Sequence, residues 1–220
     1  MSTLTTEPLA PLLDRLLAEA ALLRPEASPA FAGLFERAEE LMRSKSGHVE
    51  LYTHLKEFPL PVSRETGLLL YMLARGFGAR TIVEFGTSFG ISTLFLAAAL
   101  RDNGGGRLIT TEFEPSKIAR ARGNLAAGGL ADLVEIRQGD ALQTLSADLP
   151  ETIDLVLLDG AKALYSDVLA LVESRLSRGA FIVADNADDS PDYLAYVRSP
   201  GKGYLSVPFG DDVELSMRIG

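Results

Sequence analysis

A glycine loop between a strand pattern and an apolar helix pattern is the feature of this sequence that most suggests chemistry. The run Thr81–Phe85 is rich in β-branched residues, Gly86 and Gly90 follow it, and an apolar stretch begins at Ile91. Such a unit presents backbone amides and a helix N-terminus to a ligand. The G-x-x-x-G spacing differs from the dinucleotide fingerprint, and Glu84 would repel a pyrophosphate but attract a cationic amino group. The loop therefore favours S-adenosylmethionine over a nicotinamide dinucleotide.

Acidic residues end each of the next four strand patterns: Glu112, Asp140, Asp159 and Asp185. Glu112 lies at the distance beyond the loop at which acids bind ribose hydroxyls, although a strand-end carboxylate can also be simply solvated. Asp140 precedes a predicted helix, so it could cap that helix, contact an adenine ring, or do both. Because ligands bind at the carboxyl ends of parallel strands, we expect these acids to surround the glycine loop.

Asp159, Asp185 and Asn186 offer hard oxygen donors at the ends of two neighbouring strands. Each pair is also typical of a turn, but the set beside a cofactor loop predicts a site for Mg²⁺ or another divalent cation. Lys162 follows Asp159 by three residues, at a predicted helix start. A lysine there is commonly solvated; near a metal its pKa would fall and it could serve as a base.

Alternating strand and helix patterns must position these residues. Strands are predicted at 81–85, 107–113, 133–138, 153–159 and 180–186, and helices at about 90–101, 115–127, 141–147 and 164–176. The first third shows helical spacing in four segments, at about 9–20, 31–42, 51–58 and 64–77. A short helix near 192–197 precedes a hairpin pattern at 204–209 and 213–219.

These elements predict an α/β fold: a doubly wound, Rossmann-like, mostly parallel seven-stranded sheet with a C-terminal antiparallel hairpin and an N-terminal helical layer. Residues 1–60 are expected to be a helical extension that packs on the core or on a dimer partner, and residues 61–220 the ligand-binding domain. The leucine stripe Leu9–Leu17 exceeds what such a core needs, so we expect a homodimer that uses the N-terminal helices.

Composition narrows the function classes. The 220 residues carry a net charge of −9 and contain no cysteine, so disulfides and thiolate metal sites are excluded. Scattered basic residues do not favour nucleic acid as a partner. The sequence has no apolar run of membrane-spanning length and no signal-peptide pattern at its start, and we expect a cytoplasmic protein that does not bind membranes.

Several segments in order resemble one family. They are Val83–Ser92, Gly139–Ala141, Leu158–Tyr165 with Lys162, Ala184–Asn186, Val207–Asp212 and Pro61–Gly67. Together they are similar to class I S-adenosylmethionine-dependent methyltransferases, in the divalent-metal group of catechol and caffeoyl-CoA O-methyltransferases. The resemblance covers roughly residues 60–220.

The resemblance implies roles for particular residues. The cofactor would be bound by Val62, Glu84, Gly86, Ser88, Gly90, Ser92, Glu112, Asp140, Ala141 and Asp159. Within that set, Glu112 would hold the ribose, and Asp140 and Ala141 would lie by the adenine. Asp159, Asp185 and Asn186 would ligate the metal, and Lys162 would act on the accepting hydroxyl. Gly160 and Ala161 are smaller than their counterparts in many relatives, which is expected to open the pocket.

The functional hypothesis is methyl transfer from S-adenosylmethionine to a hydroxyl of a small aromatic diol, assisted by a divalent metal. Three alternatives stay open at this point. They are a metal-independent small-molecule methyltransferase, a nicotinamide-dependent oxidoreductase and a non-catalytic module that binds S-adenosylmethionine.

Overall fold

Seven strands form one mixed sheet in the order β3-β2-β1-β4-β5-β7-β6. The structure is a computed structural model that describes residues 2–23, 25, 34–210 and 212–220. The strands are Thr81–Phe85 (β1), Arg107–Glu112 (β2), Val134–Gln138 (β3), Ile153–Leu158 (β4), Leu176–Ala184 (β5), Tyr204–Phe209 (β6) and Val213–Arg218 (β7). Strands β1 to β5 are parallel, and β7 is antiparallel to both β5 and β6. The predicted doubly wound sheet with its C-terminal hairpin is confirmed.

The described helices cover both faces of this sheet. They are Leu9–Leu22 (α1), Phe35–Met42 (α2), His48–His54 (α3), Arg64–Phe77 (α4), Ile91–Asp102 (α5), Pro115–Ala127 (α6), Ala141–Thr144 (α7), Tyr165–Val172 (α8) and Pro191–Val197 (α9). One core cluster joins α1, α4 and α5 to the sheet, and a second joins α8 and α9 to its other face. None of these helices could span a membrane, because each is too short or too polar.

The N-terminal helices differ from the prediction in one respect that matters for assembly. The second predicted helix was expected to begin near residue 31, but residues 26–33 lie outside the described part of the chain, and α2 begins at Phe35. Leu9, Leu12, Leu13 and Leu16 are buried in the core of their own chain. The leucine stripe therefore packs against α5 and α6 (Ile91–Asp102 and Pro115–Ala127) of its own chain and does not support a dimer. The dimer stays a prediction.

Helix α4 has the bounds that the sequence predicts because both ends carry local signals. The Ser63 side chain accepts a hydrogen bond from the Thr66 backbone N–H at 3.0 Å, as an N-cap does. Gly78 ends the helix in the left-handed conformation, with φ of 71°. The helix then packs on α5, which is buried from Ile91 to Leu100 and fixes the glycine loop that precedes it.

Two glycines of α4 give a matched test of this packing. A Cβ at Gly67 would lie 2.6 Å from the Phe95 ring of α5, whereas a Cβ at Gly76 would meet no atom within 4 Å. We expect Gly67→Ala to destabilise the protein by about 1–3 kcal/mol, since the ring must be displaced in a packed core. Gly76→Ala is expected to stabilise it by about 0.5–1 kcal/mol through helix propensity. Urea denaturation of the two variants measures both, and equal effects would contradict the close α4–α5 packing.

Candidate active site

A cavity of about 890 Å³ opens at the carboxyl ends of β1, β2, β4 and β5. Strands β1 and β4 are neighbours, and the chain adds β2 and β3 on one side of them and β5 on the other. The cavity therefore lies at the topological switch point, where doubly wound sheets bind ligands. Its base carries Gly86, Glu112, Asp159 and Asp185, and its opposite side carries residues of α2, α3 and the segment that follows them. The acids that the sequence predicts to converge are therefore brought together.

The loop after β1 is shaped by close backbone contact. Gly86 has φ of 106°, and a Cβ there would lie 2.6 Å from the Asp159 carbonyl oxygen, so only glycine lets the loop rest on the end of β4. Ser88 also has a positive φ, of 47°. Its backbone N–H donates to Glu112 Oε2 at 2.9 Å, and its hydroxyl donates to the Pro59 carbonyl at 2.6 Å. Ser88 thus ties the loop to both β2 and the segment over the cavity.

The Glu112 carboxylate is fixed by backbone amides at the edge of the cavity. In addition to Ser88, the backbone N–H groups of Phe113 and Glu114 donate to Oε1 at 2.9 and 3.0 Å. Three amide donors hold the carboxylate in one orientation while it still lines the cavity. This arrangement suits an acceptor for ribose hydroxyls.

Glu84 faces away from the cavity. Strand alternation turns its side chain, like that of Ile82, toward α5, whereas Phe85 points to the other face. Its carboxyl is fully buried and accepts hydrogen bonds from Ser92 Oγ at 2.5 Å and Thr93 Oγ1 at 2.6 Å. Burial raises the pKa of Glu84 to about 7, although the hydroxyl hydrogen bonds oppose this shift.

Not every predicted cofactor contact reaches the cavity wall. Of the residues that the structure describes, Val62, Glu84, Gly90 and Ser92 are absent from it, whereas Gly86, Ser88, Glu112, Asp140, Ala141 and Asp159 are present. Asp140 is confirmed as a helix cap, because its side chain accepts from the Leu142 N–H at 2.9 Å. The cofactor contacts themselves stay predictions, including those of Glu84 and Ser92.

The predicted metal ligands meet at one end of the cavity. Asp159, Asp185 and Asn186 all line it, and Asp212 from the β6–β7 turn joins them. Asn186 Nδ2 donates to Asp212 Oδ2 at 3.1 Å, which turns the amide oxygen away from that carboxylate. Burial and the neighbouring Asp159 raise the pKa of Asp185 to about 7. A site that crowds carboxylates in this way favours a cation between them.

Lys162 provides the positive charge in this group. Its Nζ donates to Asp159 Oδ1 at 3.0 Å and lies 5.4 Å from the centre of the Tyr165 ring. Burial alone would lower the pKa of Lys162, but the nearby Tyr165 and Asp159 outweigh it and raise the pKa well above its ordinary value. The decrease in the Lys162 pKa that the sequence predicts depends on the charge of a bound metal. The surrounding residues alone raise this pKa and hold Lys162 as an ammonium.

The described residues include no set of three or more His, Cys, Asp or Glu placed as a metal centre. The candidate set here differs in kind, because it combines the carboxylates of Asp159 and Asp185 with the amide of Asn186, and Asp212 lines the same cavity. Oxygen donors of this type, with room for water, fit Mg²⁺ better than Zn²⁺.

Sequence reasoning missed several residues of the cavity wall, among them Tyr52, Lys117 and Phe85. Tyr52 belongs to α3, and its hydroxyl approaches the Gly160 carbonyl at 3.4 Å, so the N-terminal helices take part in the site. A Cβ at Gly160 would lie 2.6 Å from the Phe85 ring. The space that the small residue leaves is therefore filled by Phe85, and the pocket is not opened there as expected. Periodicity marked these residues only as core or surface positions.

Comparisons with known proteins find relatives that match the central part of this chain. Residues 83–187 match the family model described as "Methyltransferase domain", a segment that runs from β1 to just beyond Asn186. A catechol O-methyltransferase of Niastella koreensis is 39% identical over 131 residues, which are 58% of this chain and 58% of that protein. Catechol O-methyltransferase B of Danio rerio is 32% identical over 176 residues, or 76% of this chain and 66% of that relative.

A solved structure extends the likeness to most of the chain. The O-methyltransferase TomG of Streptomyces achromogenes, determined in complex with S-adenosylmethionine, superposes with a TM-score of 0.65. It is 27% identical, and the match covers 88% of this chain and 91% of that one. The fold and the matched segment are thus those of a methyltransferase domain. The chain is a homologue of the catechol O-methyltransferases, and the aligned parts span about three fifths of the relatives' length.

Proposed function

We propose that this protein transfers a methyl group from S-adenosylmethionine to a hydroxyl of a small, catechol-like aromatic acceptor with the help of a divalent cation. One observation carries the proposal: a single cavity joins the glycine loop and Glu112 to the group formed by Asp159, Lys162, Asp185 and Asn186. A cofactor edge and a hydroxyl-binding edge thus face the same space. The relatives named as catechol O-methyltransferases support this choice of acceptor.

At the cofactor edge, Glu112 would accept hydrogen bonds from ribose hydroxyls, and Ala141 would contact the adenine. The Gly86 backbone would lie against the methionine part, where a side chain would exclude it. S-adenosylmethionine supplies an activated methyl group on a sulfonium. The chain's own contribution is to hold donor and acceptor at short range, from which much of the acceleration in such reactions comes.

At the acceptor edge, Asp159, Asp185 and Asn186 would hold a divalent cation such as Mg²⁺, whose charge stabilises a phenolate. Lys162, as an ammonium, would stabilise the same developing charge. It would accept the departing proton only where the charge of the bound cation has first lowered its pKa and released its own proton. Its ammonium is already within hydrogen-bond distance of Asp159 and close to the Tyr165 ring. Apolar residues of the cavity wall, including Met42, Leu55 and Leu164, would pack against the aromatic ring.

A metal-independent methyltransferase is the second candidate. The Lys162–Asp159 ion pair at 3.0 Å already neutralises one carboxylate, and a protonated Asp185 would neutralise the other near neutral pH. Such a site could act on an acceptor hydroxyl through Lys162 alone. Nicotinamide oxidation finds no comparable support at the glycine loop.

The experiment that separates these functions is transfer of labelled methyl from S-adenosylmethionine to a panel of catechols and monophenols, with and without EDTA. Activity on catechols that EDTA removes and Mg²⁺ restores is the expected result. Activity that EDTA leaves unchanged would favour the metal-independent enzyme. Absence of transfer to any phenol would contradict the proposal.

The cofactor contact has its own test in Glu112→Gln. The amide retains one acceptor but loses the charge, so we expect the affinity for S-adenosylmethionine to fall by about 1–3 kcal/mol. Calorimetry measures it, with Glu114→Gln as control, because Glu114 is a half-buried neighbour that is absent from the cavity wall. A variant that binds S-adenosylmethionine as tightly as the wild type would show that Glu112 only holds the glycine loop in place through Ser88.

A homodimer and a cytoplasmic location remain proposals. Solution scattering at high micromolar concentration tests the first; a monomer there would reject it.

A further inference from the structure

Lys117 is a buried lysine of α6 that the proposed reaction does not use. It is 3% exposed, lines the cavity, and donates from Nζ to the Ser88 hydroxyl at 3.2 Å. That hydroxyl gives its own proton to the Pro59 carbonyl, so the lysine must be the donor toward it. Among the described residues, no carboxylate oxygen lies within 4.0 Å of Nζ. An ammonium has three N–H donors, and a buried one without an ion pair is uncommon.

The position of Lys117 points to the cofactor edge of the cavity. Ser88, its partner, also donates its backbone N–H to Glu112, the proposed ribose acceptor. Ser88, a residue of the glycine loop, therefore links the Lys117 ammonium to the Glu112 carboxylate that would hold the ribose. The Phe89 ring, 5.9 Å from Nζ, shields it from solvent on another side. Burial lowers the pKa of Lys117, while the negative charges of Glu112, Asp159 and Glu114 oppose that shift.

We propose that Lys117 is a cofactor-binding residue that donates a hydrogen bond to the bound nucleoside and biases the site toward the demethylated product. This inference rests on the proposed use of S-adenosylmethionine. The methyl donor carries a positive sulfonium, and its product, S-adenosylhomocysteine, carries a neutral thioether in the same place. A buried ammonium in the cavity wall repels the first and not the second, because charges beside the protein interior interact over several ångströms. The hydrogen bond serves both ligands, whereas the repulsion acts on the donor alone.

The same asymmetry bears on turnover. Positive charge leaves the sulfur as the methyl group departs, so the repulsion from Lys117 is relieved on the way to the transition state. Lys117 would therefore strengthen product binding more than donor binding, and it would favour transfer. The ratio of the two dissociation constants reports this effect without any turnover.

The test is calorimetric titration of both ligands into wild type, Lys117→Gln, Lys117→Arg and a control. Arg120→Gln is the matched control: Arg120 is a cation of the same helix whose guanidinium stacks on the same Phe89 ring at 4.7 Å. It pairs with Glu57 at 3.1 Å and is outside the cavity wall, so solvent screens its charge. Thermal unfolding of each variant establishes that it is folded.

In Lys117→Gln we expect product affinity to fall by about tenfold and donor affinity by about twofold or less, which lowers the ratio of donor to product dissociation constants by about fivefold. Lys117→Arg and Arg120→Gln should keep the wild-type ratio. An unchanged ratio in Lys117→Gln, with both ligands still bound by the wild type, would overturn this inference and leave the proposed function standing. A wild type that binds neither ligand would overturn both.

Discussion

Replacing Asp185 with alanine is expected to lower kcat for a catechol by about 10²- to 10³-fold, because the acceptor edge loses a carboxylate on which charge stabilisation of the phenolate depends. Asp185 is buried beside Asp159 at the end of β5 and lines the cavity with Asn186. The affinity for S-adenosylmethionine should change little, since Gly86, Ser88 and Glu112 belong to other strands. The loss is therefore expected in kcat, as for a group that acts in the transition state.

The measurement is initial rate against Mg²⁺ concentration at saturating S-adenosylmethionine, together with calorimetry of cofactor binding. Asp188→Asn is the control, because Asp188 is exposed, lies three residues away and is absent from the cavity wall. A rate in Asp185→Ala that returns toward wild type as Mg²⁺ rises would indicate weakened metal binding. Full activity of the wild-type protein after its metal has been removed with EDTA would show that these acids serve only as turn formers.

Replacing Glu84 with glutamine is expected to raise stability at pH 8 by about 3 kcal/mol and to leave it nearly unchanged at pH 4. The Glu84 pKa rises from 4.5 to about 7 on folding because the carboxyl is buried. The folded protein thus favours the protonated form. The stability that this proton contributes is fully present below about pH 4.5 and is lost as the pH rises through about 7.

Glutamine keeps the size of the protonated acid, with one oxygen that accepts and one group that donates, but it cannot ionise. Either Ser92 or Thr93, which both donate to Glu84, must then turn its hydroxyl to accept, as it must toward the protonated acid. Urea denaturation between pH 4 and pH 8 measures the effect as the difference between variant and wild type. Asp185, whose pKa is also raised to about 7, contributes to the pH dependence of both proteins and cancels in that difference. A variant with the same pH slope as the wild type would mean that Glu84 remains hydrated or finds a cation in the native state.

Local signals account for much of the agreement between the sequence patterns and the fold. Helix α4 begins after Ser63 and ends at Gly78, and β6 runs from Tyr204 to Phe209, as predicted. Element boundaries that depend on pairing with a neighbouring strand were predicted less accurately. Strand β5 begins at Leu176, four residues before the predicted start at 180, because it pairs with β4 through an irregular register. Such pairing depends on the neighbouring strand and leaves no periodicity in the segment itself.

The sequence by itself determined the α/β class, the glycine loop and the convergence of Glu112, Asp159 and Asp185, since parallel strands must end at one edge. Only the tertiary structure decided which side chains face the cavity. It turned Glu84 into the helix layer, filled the space beside Gly160 with Phe85, and buried the Leu9–Leu17 stripe. It also brought Tyr52, Lys117 and Asp212 to the site from segments far apart in the chain. The physical reason is that spacing fixes a residue's place along its own element, whereas its exposure depends on what packs against that element.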